Sequence, residues 1–286
     1  MTTPLVSICC LSYNHEDYIG TCLDSLLKQQ TSFPFEIIIH DDASTDHSPQ
    51  IIRDYASRFP NIIKPILQTE NQYSKGKGIL APFLFPVCRG IYIAFCECDD
   101  YWTDNHKLQR QIDFLTQQTN YSAIGENGLI INTITNQQRP FNQASSHDVT
   151  MEEVIITRRF PTAGVVCRKA ALEGYQQTCR IQVDTILWCW LLSKGKFRYS
   201  DTISSVYRRG WQGVTENTPA FKFAKQIETW NMEILRVFHP NKHFIYVHMA
   251  KIYKSYFTQA IHKHQYYAAL LCLMAGIAFL IRSIFA

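Results

Sequence analysis

The segment Glu97-Cys98-Asp99-Asp100 carries three carboxylates within four residues, directly after the apolar run Ile91–Cys96. Like charges crowded at the end of a buried element repel one another, and removing any of them from water is costly. A cation lying among the carboxylates offsets both effects. Oxygen ligands select hard ions such as Mg²⁺ or Mn²⁺, and these ions often also hold substrate phosphates. The segment therefore predicts a divalent-metal site that binds a diphosphate.

Polar side chains also follow other apolar runs. They are Ser12, Tyr13 and Glu16 after the first run, Asp41 and Asp42 after the second, and Asp184 at the start of a later helix. In an open parallel sheet, ligands bind beyond the carboxyl ends of the strands, so these side chains should converge with the acidic segment. Each alone has a simpler interpretation, because Asp41-Asp42 suits a capped turn and Tyr13 suits apolar packing. Their combination favours a ligand site.

The elements that position these residues alternate between strand and helix patterns. Predicted strands run over Leu5–Leu11, Phe35–Ile39, Ile62–Leu67, Ile91–Cys96, Ile124–Ile131, Gly164–Cys167 and Phe197–Tyr207. The first four are apolar at most positions, which is typical of strands buried on both faces of a parallel sheet between helices. The predicted fold is α/β and Rossmann-like, with a mostly parallel sheet flanked by helices.

Several helices have predicted starts. The candidate capping residues are Asn14 with Asp17 three positions on, Ser48 before Pro49, and Asp104. Side chains of these types accept hydrogen bonds from the first helical turn, and proline suits the first helical position. A strongly apolar helix, Thr185–Leu192, follows Asp184.

The composition limits the class of protein. Hydrophobic residues make up 46% of the 286 residues and charged residues 18%, which fits a globular chain with a core and argues against global disorder. A net charge of +4 is not the dense basic signature of a nucleic-acid binder, so no nucleic-acid partner is expected. The N-terminus lacks a basic region and cleavage site, and several of the ten cysteines lie in apolar runs. These features predict a cytoplasmic chain with buried free thiols.

The C-terminal region has a different pattern. Beyond Pro219 it is helical, and Tyr266–Ile281 is uninterrupted apolar sequence. A full membrane span needs about 20 apolar residues. One interpretation is a membrane-associated helix with Lys251, Lys254 and Lys263 toward an anionic cytosolic membrane face. The other is a last helix that packs on its own domain. Both stay open, as does the choice between a helix that spans the membrane and one that lies on it.

Two stretches together carry a family resemblance. They are "VSICCLSYNHEDYIGTCLDSLLKQQ" with "FEIIIHDDASTD", and "RGIYIAFCECDDYWTDNHKLQRQIDFL". They resemble the family 2 glycosyltransferases of bacterial surface-glycan type, which have the GT-A fold. The resemblance is strong over residues 4–118 and continues more weakly to about residue 215. It implies a GT-A nucleotide-sugar-binding and catalytic domain over residues 1–215, followed by a helical C-terminal appendage over residues 216–286.

The resemblance also implies how a nucleotide-diphosphate sugar, UDP-linked by expectation, would be bound. Tyr13 would stack on the nucleotide base with Ser12 and Glu16 nearby. Asp42 would bind the uracil or its equivalent. Tyr101 and Trp102 would form the wall of the sugar site.

Glu97-Cys98-Asp99 stands where the family carries its DxD motif. By position, Asp99 and Asp100 would bind the ribose and the Mn²⁺ or Mg²⁺ that bridges the two phosphates. Glu97 replaces the usual first aspartate of the motif. Glutamate keeps the negative charge but has a longer side chain, so the geometry of metal binding and the choice of sugar donor stay open.

For catalysis, the resemblance points to Asp184 as the general base that deprotonates the acceptor hydroxyl in an inverting transfer. The alternative is that Asp184 only caps its helix. Arg208, Arg209 and Trp211 resemble the segment that closes over the donor, where guanidinium groups bind phosphate oxygens. A plain basic surface turn is the competing interpretation of these residues.

The predicted function is transfer of a sugar from a nucleotide-diphosphate sugar to a hydroxyl of a glycan or lipid-linked acceptor, in cell-surface polysaccharide synthesis. The expected location is the cytoplasm, with the cytosolic face of the inner membrane as the site if the C-terminal helix binds lipid. Two alternatives remain. One is a pseudoenzyme that binds a nucleotide sugar without transfer, and the more distant one is a receiver-like, Mg²⁺-binding signalling module.

Overall fold

The computed structural model describes residues 3–76, 78–157, 159–210, 220–262 and 264–286. The chain divides into two compact units. The first comprises the chain up to Gln177 together with Gln182–Arg209, and the second comprises Thr178–Ile181 and the chain from Gly210 onward. The predicted domain boundary at residue 215 falls within residues 211–219, which lie outside the described part of the chain.

The described residues of the first unit form one ten-stranded sheet. Its strands are β1 (Val6–Ser12), β2 (Phe35–Asp41), β3 (Ile63–Leu67), β4 (Tyr92–Glu97), β5 (Tyr101–Trp102), β6 (Tyr121–Asn132), β7 (Gln138–Pro140), β8 (His147–Asp148), β9 (Val165–Arg168) and β10 (Lys196–Arg209). The order is β3-β2-β1-β4-β9-β6-β10-β5, with β7 paired to β6 and β8 paired to β10. Strands β1 to β4 are mutually parallel, whereas β9 runs antiparallel between β4 and β6, so the whole sheet is mixed.

Helices cover both faces of this sheet. The α-helices among the described residues are α1 (Ile19–Leu27), α2 (Ser48–Arg58), α3 (Lys107–Gln117), α4 (Met151–Ile156), α5 (Tyr175–Thr178), α6 (Asp184–Lys194), α7 (Ala220–Phe238), α8 (Lys242–His262) and α9 (Tyr266–Ile284). On one face, Ile8 and Ile37 share a core with buried residues of α1, α2 and α3. On the other face, the Phe95 ring lies against Trp188 of α6, with ring centroids 5.7 Å apart. The predicted α/β fold with a helix-flanked sheet is confirmed.

The predicted start of α1 at Asn14 is wrong. Asn14 has a left-handed backbone (φ 56°), and its Oδ1 accepts a hydrogen bond from the Thr45 N–H at 2.8 Å. Asparagine tolerates this conformation, and the neighbouring loop supplies its side chain with a partner. The helix therefore begins later, at Ile19. Asp104 is likewise not the N-cap of α3, which is His106. The Asp104 Oδ1 instead accepts the His106 N–H at 2.8 Å in the turn before the helix.

All ten cysteines are buried and free, as predicted. Two pairs lie close together, with Sγ–Sγ distances of 3.5 Å for Cys9 and Cys88 and 3.8 Å for Cys22 and Cys96. Burial raises the pKa of the Cys167 thiol well above its ordinary value. A buried, protonated thiol is a packing residue rather than a nucleophile.

The second unit is helical. Within it, the hydroxyl of Tyr253 in α8 donates a hydrogen bond to Glu228 of α7. The rings of Phe223 and Tyr256 also join these two helices, with centroids 5.9 Å apart. The last helix, α9, is long and apolar enough to cross a membrane by the criteria of length and composition.

Candidate active site

The register of the parallel strands brings the predicted polar residues to one edge of the sheet. Ser12 at the end of β1 pairs with Asp41 at the end of β2. Leu11, one residue earlier, pairs with Glu97 at the end of β4. Because parallel strands end at the same edge, the segments that follow β1, β2 and β4 meet there. The structure therefore places residues from three separate parts of the sequence together.

The acidic segment forms a compact cluster at this edge. One carboxylate oxygen from each of Glu97, Asp99 and Asp100 lies within 4.8 Å of the others. Asp100 is completely buried, whereas Glu97 and Asp99 are partly exposed. Three carboxylate oxygens at this spacing, one of them removed from water, fit the ligand set of a hard divalent cation. The donor set thus agrees with the Mn²⁺ or Mg²⁺ expected from the sequence.

Arg208 joins the acidic cluster from the end of β10. Its backbone N–H donates to Asp100 Oδ1 at 3.0 Å, and its guanidinium donates to the Asp99 carbonyl at 2.6 Å. The guanidinium also lies 5.0 Å from the ring centroid of Tyr18 and 4.5 Å from that of Tyr101. These contacts hold a positive charge beside the carboxylates, where a diphosphate would need one.

The other two residues of the predicted closing segment have different positions. Successive side chains of a strand point to opposite faces, so Arg209 does not share the face of Arg208. The Arg209 carbonyl accepts a hydrogen bond from the Thr133 N–H at 2.7 Å. Trp211 lies outside the described residues.

Asp42 organises a loop at the same edge. Its carboxylate accepts the backbone N–H groups of Gln72 at 2.7 Å and Tyr73 at 3.0 Å, and its own N–H donates to the Ser12 carbonyl. The neighbouring Tyr13 is 42% exposed, so one face of the edge offers an aromatic ring to solvent. That Asp42 binds the nucleotide base stays a prediction, and its bonds to the loop at residues 72–73 were not predicted from the sequence.

Glu16 lies between the loops that follow β1 and β2. Its Oε2 accepts the backbone N–H of His47 at 2.9 Å and the His47 Nδ1–H at 2.7 Å. These two hydrogen bonds hold the pKa of the Glu16 carboxyl below its ordinary value, and the bond from the His47 backbone has the larger effect. Glu16 therefore ties two loops of the edge together.

Asp184 faces the acidic edge from the first turn of α6. Its Oδ2 accepts a hydrogen bond from the Thr162 hydroxyl at 2.6 Å. Asp184, Thr162 and Glu97 line one small pocket, whose apolar walls include Leu11 and Phe95. The predicted base and the first acid of the cluster thus share a concave site.

The turn that carries Thr162 is an element that sequence reasoning missed. This short 3-10 turn, Thr162–Gly164, is tied down by Trp102, whose Nε1–H donates to the Ala163 carbonyl at 2.8 Å. Trp102 is only 4% exposed and belongs to the core. Its expected role as a wall of the sugar site is therefore wrong, because the indole packs inside the domain and supports the turn behind Asp184.

A buried lysine lies behind the same turn. Lys107 of α3 is fully buried, donates from Nζ to Gln111 Oε1 at 2.6 Å, and lies 4.3 Å from the Trp102 ring centroid. Gln111 in turn donates to the Gly164 carbonyl at 2.7 Å. Burial lowers the pKa of Lys107 to about 8, an effect that the negative charge of Glu126 only partly opposes.

This lowered pKa predicts a dependence of stability on pH. Between pH 8 and the ordinary lysine pKa, the unfolded chain binds a proton at Lys107 that the folded chain does not, so stability should rise with pH. From pH 7 to pH 9.5, wild type should gain roughly 2 kcal/mol relative to Lys107→Met. Urea unfolding at both pH values measures the difference. The exposed Lys28→Met variant is the control, and an equal wild-type–variant difference at the two pH values would contradict the prediction.

Comparison with known proteins identifies the family. The model of the family described as "Glycosyl transferase family 2" matches residues 7–181, which include β1, β2, β4 and the acidic cluster. The chain belongs to glycosyl transferase family 2. The family match gives no support to the receiver-like signalling module.

Similar sequences include two glycosyltransferases whose names state an activity. The putative teichuronic acid biosynthesis glycosyltransferase TuaG of Bacillus subtilis is 28% identical over 68% of this chain and 75% of its own length. The Escherichia coli UDP-Glc:alpha-D-GlcNAc-diphosphoundecaprenol beta-1,3-glucosyltransferase WfaP is 28% identical over 80% of this chain and 85% of its own length. An uncharacterized protein of Mycobacterium tuberculosis is 47% identical over 38% of this chain, and the match spans only 31% of that protein's length.

Solved structures share the fold. Staphylococcus aureus TarS 1-349 in complex with UDP-GlcNAc superposes with a TM-score of 0.65 at 19% identity, covering 88% of this chain and 72% of that chain. The predicted GT-A fold of this chain is thereby confirmed.

Proposed function

We propose that this chain is a metal-dependent, inverting glycosyltransferase that moves a sugar from a nucleotide-diphosphate sugar to an acceptor hydroxyl. The observation that carries the proposal is the pocket at the carboxyl edge of the sheet. Its lining includes both Asp184 and Glu97, the first residue of the acidic cluster. A general base and a diphosphate-binding site on one concave surface are the two parts that direct displacement at an anomeric carbon requires.

The donor would lie along the edge that β1, β2 and β4 form. Tyr13 offers an exposed ring for base stacking, and Asp42 with the loop at residues 72–73 lies beside it. Asp99 and Asp100, with Glu97, would hold Mn²⁺ or Mg²⁺. A bound divalent ion would neutralise charge on the diphosphate as it leaves. Arg208, fixed between two tyrosine rings, would contribute a second positive charge to the same phosphates.

Asp184 would act on the acceptor. Its carboxylate takes the proton of the acceptor hydroxyl while that oxygen attacks the anomeric carbon of the sugar. The bond between the anomeric carbon and the diphosphate oxygen breaks, and the configuration at that carbon inverts. Thr162 orients the carboxylate through its 2.6 Å hydrogen bond, so that the base is already positioned when the acceptor arrives.

The acceptor that we propose is a surface glycan or its lipid carrier at the cytosolic face of the inner membrane. TuaG is named as a putative glycosyltransferase of teichuronic acid biosynthesis, and WfaP as acting on a diphosphoundecaprenol-linked sugar. The donor in WfaP's name, UDP-Glc, also supports a UDP-linked donor here. A membrane-held acceptor would suit the apolar helix α9 at the end of this chain.

Titration calorimetry tests the donor site directly. The full chain is titrated with UDP, GDP, CMP and their sugars in the presence of Mn²⁺, Mg²⁺ or EDTA. We expect UDP and a UDP-sugar to bind only with a divalent metal. Asp42→Ala should weaken this binding about 10- to 100-fold, because the loop at residues 72–73 loses its charged hydrogen-bond acceptor.

Asp54→Ala is the matched control, since Asp54 is an exposed acid on α2 away from the carboxyl edge. Binding of none of the nucleotides would overturn the proposed function. Metal-dependent binding without transfer to any glycan or lipid-linked acceptor would favour the pseudoenzyme instead.

A further inference from the structure

The last helix buries only a narrow stripe of its surface. The buried residues of α9 are Ala269, Cys272, Gly276, Phe279 and Ser283. Large apolar side chains are exposed around the rest of the helix: Tyr266, Tyr267, Leu270, Leu273, Met274, Ile277, Leu280, Ile281 and Ile284. Met274 is 61% exposed and Ile284 is 75% exposed. Contiguous apolar surface of this kind marks a site of contact with another apolar phase.

The buried stripe packs on α8 as an antiparallel hairpin. The rings of Tyr253 and Phe279 stack with centroids 5.9 Å apart. At Gly276, a Cβ atom would lie 3.4 Å from Tyr253 Cβ, so the two helices approach within van der Waals contact there. Near the other end, His243 Nδ1–H donates to the Ser283 carbonyl at 2.8 Å. These contacts hold α9 against α8 over much of its length.

The side of α8 turned away from α9 is polar. Its exposed residues include Lys251, Lys254, Ser255, Thr258, Gln259 and His262. If α9 crossed a bilayer while packed in this way, Lys251 and Lys254 would enter the hydrocarbon region. A charged lysine side chain in the hydrocarbon region of a membrane is energetically costly. The hairpin therefore suits a position at the surface of a membrane, with α8 in water.

We propose that α9 lies in the plane of an anionic membrane surface, with its exposed apolar face in the lipid and α8 on the aqueous side. The inference deepens the membrane association that is part of the proposed function, and it is independent of which sugar is transferred. The exposed aromatic rings of Tyr266 and Tyr267 at the start of the helix are of the type that favours the membrane–water interface.

The charge of this region selects the partner. Glu233 is the last acidic residue of the chain, and the residues that follow it are basic, apolar or neutral polar. The Lys and Arg residues after it are Arg236, Lys242, Lys251, Lys254, Lys263 and Arg282. Anionic lipids attract such a segment through each basic residue near the membrane surface. A second copy of this chain would bring the same positive charge and be repelled, so charge complementarity favours the lipid surface.

Vesicle binding tests the surface. Full-length protein is sedimented with vesicles of phosphatidylglycerol and phosphatidylcholine, and with vesicles of phosphatidylcholine alone. We expect binding to the anionic vesicles that weakens at least tenfold on removal of the anionic lipid or in high salt. The double variant Met274→Gln/Ile277→Gln should reduce binding at least tenfold, because two side chains no longer enter the lipid.

Ile134→Gln is the matched control, since Ile134 is also exposed and apolar but lies in the β6–β7 turn of the first unit. Equal binding by wild type and the double variant would overturn the proposal. The proposal would also be overturned if the protein formed a dimer in sedimentation without vesicles and the double variant abolished that dimer. The apolar face would then be the contact surface for a second copy. Calorimetry with UDP and Mn²⁺ on the same samples tests the donor site separately.

A protease-accessible tag fused after Ala286 tests the orientation. With protein bound to the outside of sealed vesicles, external protease should remove the tag if α9 lies in the surface plane. A protected tag would show that α9 spans the bilayer and would overturn the in-plane arrangement while leaving membrane association intact. Absence of binding to any vesicle would overturn both.

Discussion

Asp184→Asn should lower kcat for sugar transfer by about 10²–10⁴-fold and leave the Kd for the donor within a factor of two or so. The amide keeps the shape of the side chain and can still bond Thr162, but it cannot take a proton from the acceptor hydroxyl. The loss should therefore appear in the chemical step rather than in binding. Single-turnover transfer with calorimetry of UDP on the same protein separates the two quantities.

Glu152→Gln is a suitable control, because Glu152 is another acid in the first turn of a helix, α4, and is exposed. Thr162→Val should lower kcat roughly tenfold, less than Asp184→Asn does. Thr162→Ser should restore activity because it returns the hydroxyl that bonds Asp184. An Asp184→Asn protein with wild-type kcat would leave Asp184 with only a structural role in the first turn of α6.

The second large effect is expected at the acidic cluster. Asp99→Asn should weaken Mn²⁺-dependent binding of a UDP-sugar by ~100-fold or more, because it removes one charged oxygen from the three grouped within 4.8 Å. In EDTA, neither wild type nor the variant should bind the UDP-sugar. Calorimetry across a range of Mn²⁺ concentrations determines whether metal affinity or nucleotide affinity has been lost.

Asp113→Asn on α3 is the control for loss of a single exposed negative charge. Glu97→Asp is the informative companion, since it restores the aspartate usual at this position of the family's motif. If the longer side chain of Glu97 serves only to reach the ion, the Glu97→Asp variant should still bind the UDP-sugar in the presence of metal. Its preference between Mn²⁺ and Mg²⁺ should change. Unaltered metal-dependent binding in Asp99→Asn would remove Asp99 from the metal site.

The central part of the sheet could be predicted from sequence because its strands are apolar on both faces. Burial between two layers of helices requires that pattern, and it fixes which ends of β1, β2 and β4 meet. The grouping of Ser12, Asp41 and Glu97 at one edge follows from parallel register alone. The acidic cluster was predictable because its three carboxylates lie within four consecutive residues at the end of a strand.

The contacts between residues that are far apart in the chain could not be predicted from the sequence. Asn14 is of a residue type that often caps helices, but its side chain instead accepts a hydrogen bond from the Thr45 N–H of a neighbouring loop. Trp102 follows the acidic cluster like a ligand-binding aromatic, yet Ala163, distant in the chain, accepts its indole hydrogen bond inside the core. Thr162 lies in an irregular segment without periodicity, so nothing in the local pattern links it to Asp184.

The bond between Asp100 and the backbone of Arg208 also bears on how the domain is synthesised. It joins residues 108 positions apart, and β10, which carries Arg208, is the last strand of the sheet to leave the ribosome. Contacts of such long sequence separation form late, because the intervening chain must first be ordered. A nascent chain that ends before β10 would contain the acidic segment but lack this support for Asp100. The capacity to hold a metal should therefore arise only when the domain closes, which makes metal binding a reporter of completed folding.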